Sequence, residues 1–174
     1  MNLAALPKVE IDRPDDWPAV LAFVRDYWQA KRGARVMPGR NDISPAQLKV
    51  QLPQILLADV VDGGDDFRYR LVGTRLRQFF QDEPSGRLMS EVLSAFGNDA
   101  VNSTLDAYRK VVSSHMPVRL TGAGAVFGQR TKLFDAYLAP LSDDGQTVNM
   151  ILGSFVFDWD RDQQFQPLLS AWSD

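Results

Sequence analysis

The alternation of hydrophobic and polar positions is clearest in the first half of the chain, where it predicts a β-hairpin. At about 66–73, aromatic and aliphatic residues alternate with arginines, the two-residue period of a strand that buries one face. The run at about 54–61 is rich in aliphatic and β-branched residues, which favour strands. Between them, Asp62-Gly63-Gly64-Asp65 favours positive φ and a tight reversal.

A helical period precedes the hairpin and predicts an amphipathic helix over 17–31. Its apolar residues form one stripe: Trp17, Val20, Leu21, Val24, Tyr27 and Trp28. The helix must bury this stripe against the rest of the protein or against a second copy, so we expect a homodimer. A shorter helix is predicted from Ser44, with a proline in its first turn, and Pro53 ends it.

After the hairpin the period is helical again and then returns to that of strands. Short apolar turns follow Thr74, and Asn98 begins a longer helix with one apolar face. Three further strands are predicted at about 118–126, 131–141 and 147–158.

The order of these elements predicts an α+β fold. Two strands, then helices, then three consecutive strands are typical of a five-stranded antiparallel sheet with helices on one face. We find no internal repeat and no low-complexity linker. We therefore expect one domain at 54–160, an N-terminal helical extension at 1–53 and a C-terminal tail at 161–174.

Composition narrows the class of protein. Of 174 residues, 45% are hydrophobic and 24% charged, as in ordinary soluble domains. The net charge of −3 argues against a nucleic-acid partner, because phosphate binding needs a concentrated basic face. We see no run near the roughly 20 apolar residues of a membrane span and no secretory signal, so we expect a cytoplasmic protein. The lack of cysteine excludes disulfides, thiolate metal sites and a flavin–thiol adduct.

A series of motifs between residues 28 and 74 resembles the PAS domain, a sensor and interaction fold, and more narrowly a group of small, often stand-alone bacterial PAS-like proteins. The matching positions are Trp28, Arg32-Gly33-x-Arg35-x-Met37-Pro38-x-Arg40-x-Asp42-Ile43 with Pro45, Leu52-Pro53, Leu57-x-Asp59-Val60 and Phe67-Arg-Tyr-Arg-Leu-Val-Gly-Thr74. The likeness covers about residues 20–160 in layout, and the C-terminal half matches only in pattern.

The resemblance implies PAS strand order and a small, mostly apolar pocket beneath the helices. It also implies signal reception or protein–protein regulation rather than catalysis. Placed by the layout of that fold, the candidate pocket residues are Phe80, Met89, Tyr108, His115, Arg119 and Phe134.

His115 is the only histidine, which excludes a catalytic histidine pair or a metal site built from histidines. Some PAS sensors hold haem through one histidine in this part of the fold, so the resemblance leaves haem open as a cofactor. The surrounding Ser113–Pro117 segment gives haem little support. An ordinary histidine at a helix end is the alternative that we favour.

The Gly63–Phe67 segment resembles the signature of diguanylate cyclases, which need metal-binding carboxylates. Those enzymes also carry an Asn-Asp pair on a helix, whereas Asn41-Asp42 follows a proline-containing irregular segment here. A hairpin turn explains the glycines fully, and we assign no catalytic residues and no metal site.

Arg32, Arg35 and Arg40 form the densest basic cluster. Guanidinium groups bind carboxylates and phosphates well, so the cluster is a candidate anion or partner site. Alternatively, these arginines pair with Asp42, Asp59 or other acids and fasten the extension to the sheet, which is the interpretation that we favour.

The resemblance therefore implies a sensory or regulatory module in signal transduction that binds a small apolar ligand, a partner protein or both. One alternative is a small enzyme on a cone-shaped barrel of the nuclear transport factor type, with His115 beside a carboxylate in a deep pocket. Another is a pure interaction module whose pocket is filled by its own side chains, for which Phe79, Phe80 and Phe127 are candidates.

Overall fold

An antiparallel sheet organises the part of the chain that the structure, a computed structural model, describes: residues 8–10, 17–123 and 133–157. Its strands are β1 (Lys8–Glu10), β2 (Ile55–Val61), β3 (Asp66–Val72), β4 (Val118–Ala123), β5 (Leu133–Leu141) and β6 (Met150–Phe157). The helices of the same residues are α1 (Ala19–Arg32), α2 (Thr74–Phe80), α3 (Met89–Leu93) and α4 (Asn98–Ser114). None of these helices is long and apolar enough to cross a bilayer.

The strands lie side by side in the order β1-β4-β5-β6-β2-β3, and every neighbouring pair is antiparallel. The five-stranded α+β sheet predicted from the sequence is confirmed. A sixth strand, β1, pairs with the outer edge of β4, where Lys8 lies opposite Thr121. The N-terminal extension therefore contains a strand as well as a helix. The predicted tail at 161–174 lies outside the described residues.

The hairpin between β2 and β3 turns at Asp62–Gly64, which form one turn of 3-10 helix. Gly63 and Gly64 take φ values of 72° and 111°, the left-handed region that glycine enters at little cost. The guanidinium of Arg109, on α4, donates to the carbonyl oxygens of Gly64 at 3.1 Å and Asp65 at 2.9 Å. The two glycines are thus accounted for by a turn that α4 holds in place.

The sheet is covered on both faces. On one face lie the helices of the central excursion, α2 to α4. On the other, α1 packs against β5 and β6. The Trp17 ring there meets Tyr137 edge-on, with 5.7 Å between ring centroids. The indole N–H of Trp28 donates to the carbonyl oxygen of Pro140 at 2.9 Å.

Helix α1 buries its apolar stripe against the sheet of the same chain. Leu21, Val24 and Trp28 are at most 2% exposed. The sequence offered two ways to bury the stripe, and the structure takes the intramolecular one. The observation that led us to expect a homodimer is therefore explained without a second copy.

The prediction of a short helix from Ser44 to Pro53 is wrong. The segment forms separate turns, in which Leu48 N–H donates to Ser44 O and Leu52 N–H donates to Leu48 O, followed by a 3-10 turn at Leu52–Gln54. Its apolar residues do not share one helical face, since Leu48 is buried while Val50 is 82% exposed. A stretch bounded by prolines has too few residues to build the cooperative ladder of a helix.

Gly73 joins β3 to α2 at a point where the extension touches the sheet. Its N–H donates to the carbonyl oxygen of Ile55 at 2.8 Å. Its φ of −63° is ordinary, so the need for glycine is steric: an added Cβ would fall far inside contact distance of the carbonyl oxygens of Leu52 and Pro53. Because those atoms belong to the backbone, they can move aside only if the segment shifts.

We predict that Gly73→Ala destabilises the protein by about 1–3 kcal/mol, the usual cost of forcing extra atoms into a packed site. Urea unfolding followed by circular dichroism measures the effect. Thr74→Ala is the matched control, because its side chain is exposed and should change stability by less than about 0.5 kcal/mol. Equal stability of the two variants would contradict the importance of this contact.

Candidate functional site

A small, partly enclosed cavity lies between the helical layer and the sheet. Its volume is about 30 Å³. The lining residues are mostly aromatic or aliphatic and come from three helices and five strands: Leu56, Tyr69, Leu76, Phe79, Phe80, Leu93, Thr104, Tyr108, Leu120, Phe134, Phe155 and Phe157. We call this the aromatic cavity.

Residue spacing explains how these side chains meet. Phe155 and Phe157 are two positions apart on β6 and so point to the same face of the sheet. On β5, Phe134 lies opposite Phe157 in the strand register and shares that face. Thr104 and Tyr108 are four positions apart on α4 and lie on one side of the helix.

Phenylalanine rings fill most of the space. The Phe79 ring stacks on Phe157 with 4.7 Å between centroids and 21° between planes. It also meets Phe80 edge-on at 5.5 Å. The remaining 30 Å³ is room for about one water, whereas ligand pockets usually measure about 300–1,000 Å³. The protein's own side chains therefore close this cavity.

The cavity approaches the surface at Phe80 and Phe155, which are half-buried, while Phe79, Phe134 and Phe157 are buried. Phe80 is the last residue of the seven-residue helix α2, and the chain turns away at Gln81, whose φ is 56°. A ring at the end of a short helix can turn outward with little disturbance to the sheet. Movement of Phe80 is thus the simplest way to enlarge the aromatic cavity.

Two buried tyrosines contribute hydroxyl groups that remain protonated. Burial raises the pKa of Tyr108, and it raises the pKa of Tyr69 well above its ordinary value, with smaller contributions from Tyr108 and Asp66. Both side chains therefore act as neutral hydrogen-bonding groups at physiological pH.

The structure places three of the six predicted pocket residues, Phe80, Tyr108 and Phe134, on the cavity wall. Met89 is fully buried at the start of α3 but does not line the cavity. His115 is exposed at the end of α4, in a left-handed conformation with φ of 57°. Placing His115 in the pocket was therefore wrong, and neither the haem site nor the enzyme pocket considered from the sequence forms around it.

Arg119 was also wrongly assigned to the pocket. Its neighbour Leu120 faces the cavity, so strand alternation directs Arg119 to the opposite face. There its guanidinium binds Asp135 in a buried ion pair, with Nε 2.9 Å from Oδ1. It also lies over the Trp17 ring, 4.6 Å from the centroid. This pair joins β4 to β5, and Trp17, which lies just before α1, packs on the Arg119 guanidinium.

Sequence reasoning omitted Tyr69, Phe155 and Phe157 from the pocket. The two-residue spacing of the phenylalanines was the available signal, because it places them on one face of a strand. Phe127, considered as a residue that fills the pocket, lies outside the described residues.

The basic cluster lies elsewhere, beside an open groove of about 540 Å³ between residues 35–42 and 142–145. Arg35 binds Asp42 with 2.9 Å between the charged atoms, and Arg40 donates to the carbonyl oxygen of Ile43 at 3.0 Å. The guanidinium of Arg32 lies over the Trp28 ring at 5.7 Å. Asp59, the other acid considered, pairs with Arg70 instead, at 2.8 Å.

The hydrogen bond from Gly39 N–H, at 2.8 Å, is the main cause that lowers the pKa of Asp42, and Arg35 adds to it. Arg35 thus pairs with Asp42 as the favoured interpretation expects, but Asp42 and Ile43 belong to the extension itself, so these side-chain bonds order the extension and do not fasten it to the sheet. Within the described ranges, we find no group of three side chains suited to a metal ion.

Comparison with known proteins gives one family and a distant structural likeness. The family model for the PAS domain matches residues 18–156, which include α1 and the segment that follows it. A solved chain described as an RNA-binding Light-Oxygen-Voltage receptor is 14% identical, with a TM-score of 0.49. The match covers 95% of this chain and 43% of that one. This chain therefore spans less than half the length of that receptor, and no curated protein matches it.

We predict that Asp42→Asn lowers the melting temperature at pH 7 and that the difference from wild type shrinks as the pH falls below about 4. The folded protein lowers the pKa of Asp42, so its contribution is present above the unfolded pKa and lost as the pH falls through the folded one. Thermal unfolding between pH 7 and pH 3 tests this. Asp65→Asn, at an exposed turn position, is the control, and an equal, pH-independent change in both variants would contradict the role of Asp42.

Proposed function

The chain belongs to the PAS domain family, and we propose that it acts as a sensory or regulatory module whose input is a small apolar ligand bound in the aromatic cavity. The observation that carries this proposal is the cavity itself, which is partly enclosed, lined mostly by apolar groups and bordered by the half-buried Phe80. Binding would bury apolar surface at roughly 25 cal/mol per Å² and would need the Phe80 ring to turn outward.

The sheet offers a route from the cavity to the opposite surface. Strands β5 and β6 carry Phe134 and Phe157 on the cavity side and Tyr137 and Asp135 on the α1 side. A ligand that prefers one arrangement of these strands would bias the docking of α1. A partner protein that recognises α1 or the segment after it would then receive the signal.

The proposal does not require a homodimer, because α1 buries its stripe on its own sheet. Nor does it include a nucleic acid, since the net charge is −3. We propose a cytoplasmic, non-catalytic role. The second candidate function is a protein-interaction module with a permanently filled pocket, and the small volume of about 30 Å³ favours it.

We expect native mass spectrometry of freshly purified wild-type protein to show an excess mass over the denatured chain, because the closed aromatic cavity would release a bound ligand slowly. Phe80→Ala should lose that ligand, since removing the ring leaves the cavity open. Phe23→Ala is the matched control, because Phe23 is 44% exposed on α1, and it should retain the ligand. Absence of any excess mass in all three proteins would favour the filled-pocket module.

We also expect toluene, an apolar single ring, to raise the melting temperature of wild-type protein. A probe present at 100 times its dissociation constant stabilises a protein by about 2.7 kcal/mol, or several degrees for a domain of this size. Phe80→Ala should respond at least as strongly, and Phe23→Ala as wild type does. A response confined to Phe80→Ala would show that the wild-type cavity does not open, and would overturn the proposed input.

A further inference from the structure

Three hydroxyl groups on the wall of the aromatic cavity have no protein partner in the described part of the chain. They belong to Tyr69, Thr104 and Tyr108, whose side chains are buried, with relative exposures of 1%, 9% and 1%. Among residues 17–122 and 134–157, none of the three hydroxyls takes part in a hydrogen bond. We call these three residues the polar wall.

Each of these hydroxyl oxygens keeps some accessible surface on the cavity wall, where a hydrogen-bond partner is usually found. A buried hydroxyl loses its hydrogen bonds to water, and this loss costs free energy unless another group replaces them. Most buried polar groups in native structures are satisfied for this reason. Tyr27 shows the ordinary outcome elsewhere in this chain, since its hydroxyl accepts a hydrogen bond from Ser44 N–H at 2.8 Å.

The polar wall borders the cavity from both the helical layer and the sheet. Thr104 and Tyr108 are one turn apart on α4, and Tyr69 comes from β3. The three residues border the same small space, because the cavity that they line has a volume of only about 30 Å³. The stacked pair Phe79 and Phe157 contributes a purely apolar part of the lining.

We propose that the cavity binds a small, uncharged aromatic molecule that carries one hydrogen-bonding group, a hydroxyl or a carbonyl, directed at the polar wall. This inference rests on the proposed ligand function of the cavity. Aromatic rings complement the phenylalanine rings through stacked and edge-on contacts. The ligand is uncharged because no charged side chain lines the cavity, and an unpaired charge in an apolar site is strongly disfavoured. It is small because the cavity has a volume of only about 30 Å³ before the Phe80 ring turns outward.

Phenol and toluene form a matched pair of probes, since they have nearly the same shape and differ by a hydroxyl in place of a methyl group. Their dissociation constants are measured by calorimetric titration on wild-type protein and on Tyr108→Phe, Tyr69→Phe and Thr104→Val, each of which removes one hydroxyl at nearly constant volume. Tyr137→Phe, on the opposite face of the sheet, is the control.

We expect Tyr108→Phe to weaken phenol binding about fivefold, the effect of one lost hydrogen bond, and to leave toluene binding unchanged. Thr104→Val and Tyr69→Phe should act in the same direction, and Tyr137→Phe should change neither constant. If phenol binding is unaffected by all three polar-wall variants, the polar wall does not recognise the ligand, although the cavity still binds one. Failure of wild-type protein to bind either probe would overturn the proposed ligand function itself.

Discussion

The contact of Gly73 with the backbone of Leu52 and Pro53 fixes how the N-terminal extension, the sheet and the helical layer are arranged. Gly73 ends β3, donates to Ile55 at the start of β2 and is followed at once by α2. Because α2 has only seven residues, the position of Phe79 and Phe80 at its end follows closely from the position of Gly73. The shape of the aromatic cavity thus depends on the backbone contact of Gly73, which lies at the opposite end of α2 from Phe79 and Phe80.

A sheet with two buried faces explains the rest of the architecture. Helices α2 to α4 cover the cavity face of the sheet. Helix α1 covers the opposite face, where Leu152 and Ser154 are fully buried. The extension is therefore part of the folded unit rather than an appendage. The Trp17–Tyr137 ring contact and the Trp28–Pro140 hydrogen bond hold it in place. Both contacts involve β5, a strand that also contributes Phe134 to the cavity.

The sequence was sufficient to predict the helices and strands that have a strong hydrophobic period. It was not sufficient for features that depend on how strands distant in sequence pair with each other. Alternation in β3 and the helical spacing in α4 were sufficient for their assignment. The three residues of β1 are too few to show a period, and they form a strand because β4 offers an edge. Arg119 and Leu120 are neighbours on β4, and only the register with β5 shows which of them faces the cavity. The volume of the cavity depends on ring orientations, which no sequence pattern specifies.

The open groove and the aromatic cavity differ in whether their polar side chains already have hydrogen-bond partners within the protein. This difference distinguishes a structural site from a ligand site. Beside the open groove, Asp42 binds Arg35 and Gly39 N–H, and Asp143 accepts from the Asn149 amide at 2.7 Å. Asp144 accepts from the N–H groups of Gln146 and Thr147 at 2.8 and 2.7 Å, the main causes that lower its pKa. These carboxylates already have the partners that a ligand would offer, so the groove gains little by binding one. The polar wall has the opposite character, because its hydroxyls face the cavity and have no hydrogen-bond partner among the described residues. A ligand that supplies one hydrogen-bonding group would form a bond there that the described residues do not form, and this difference favours the aromatic cavity as the place where the protein responds to its surroundings.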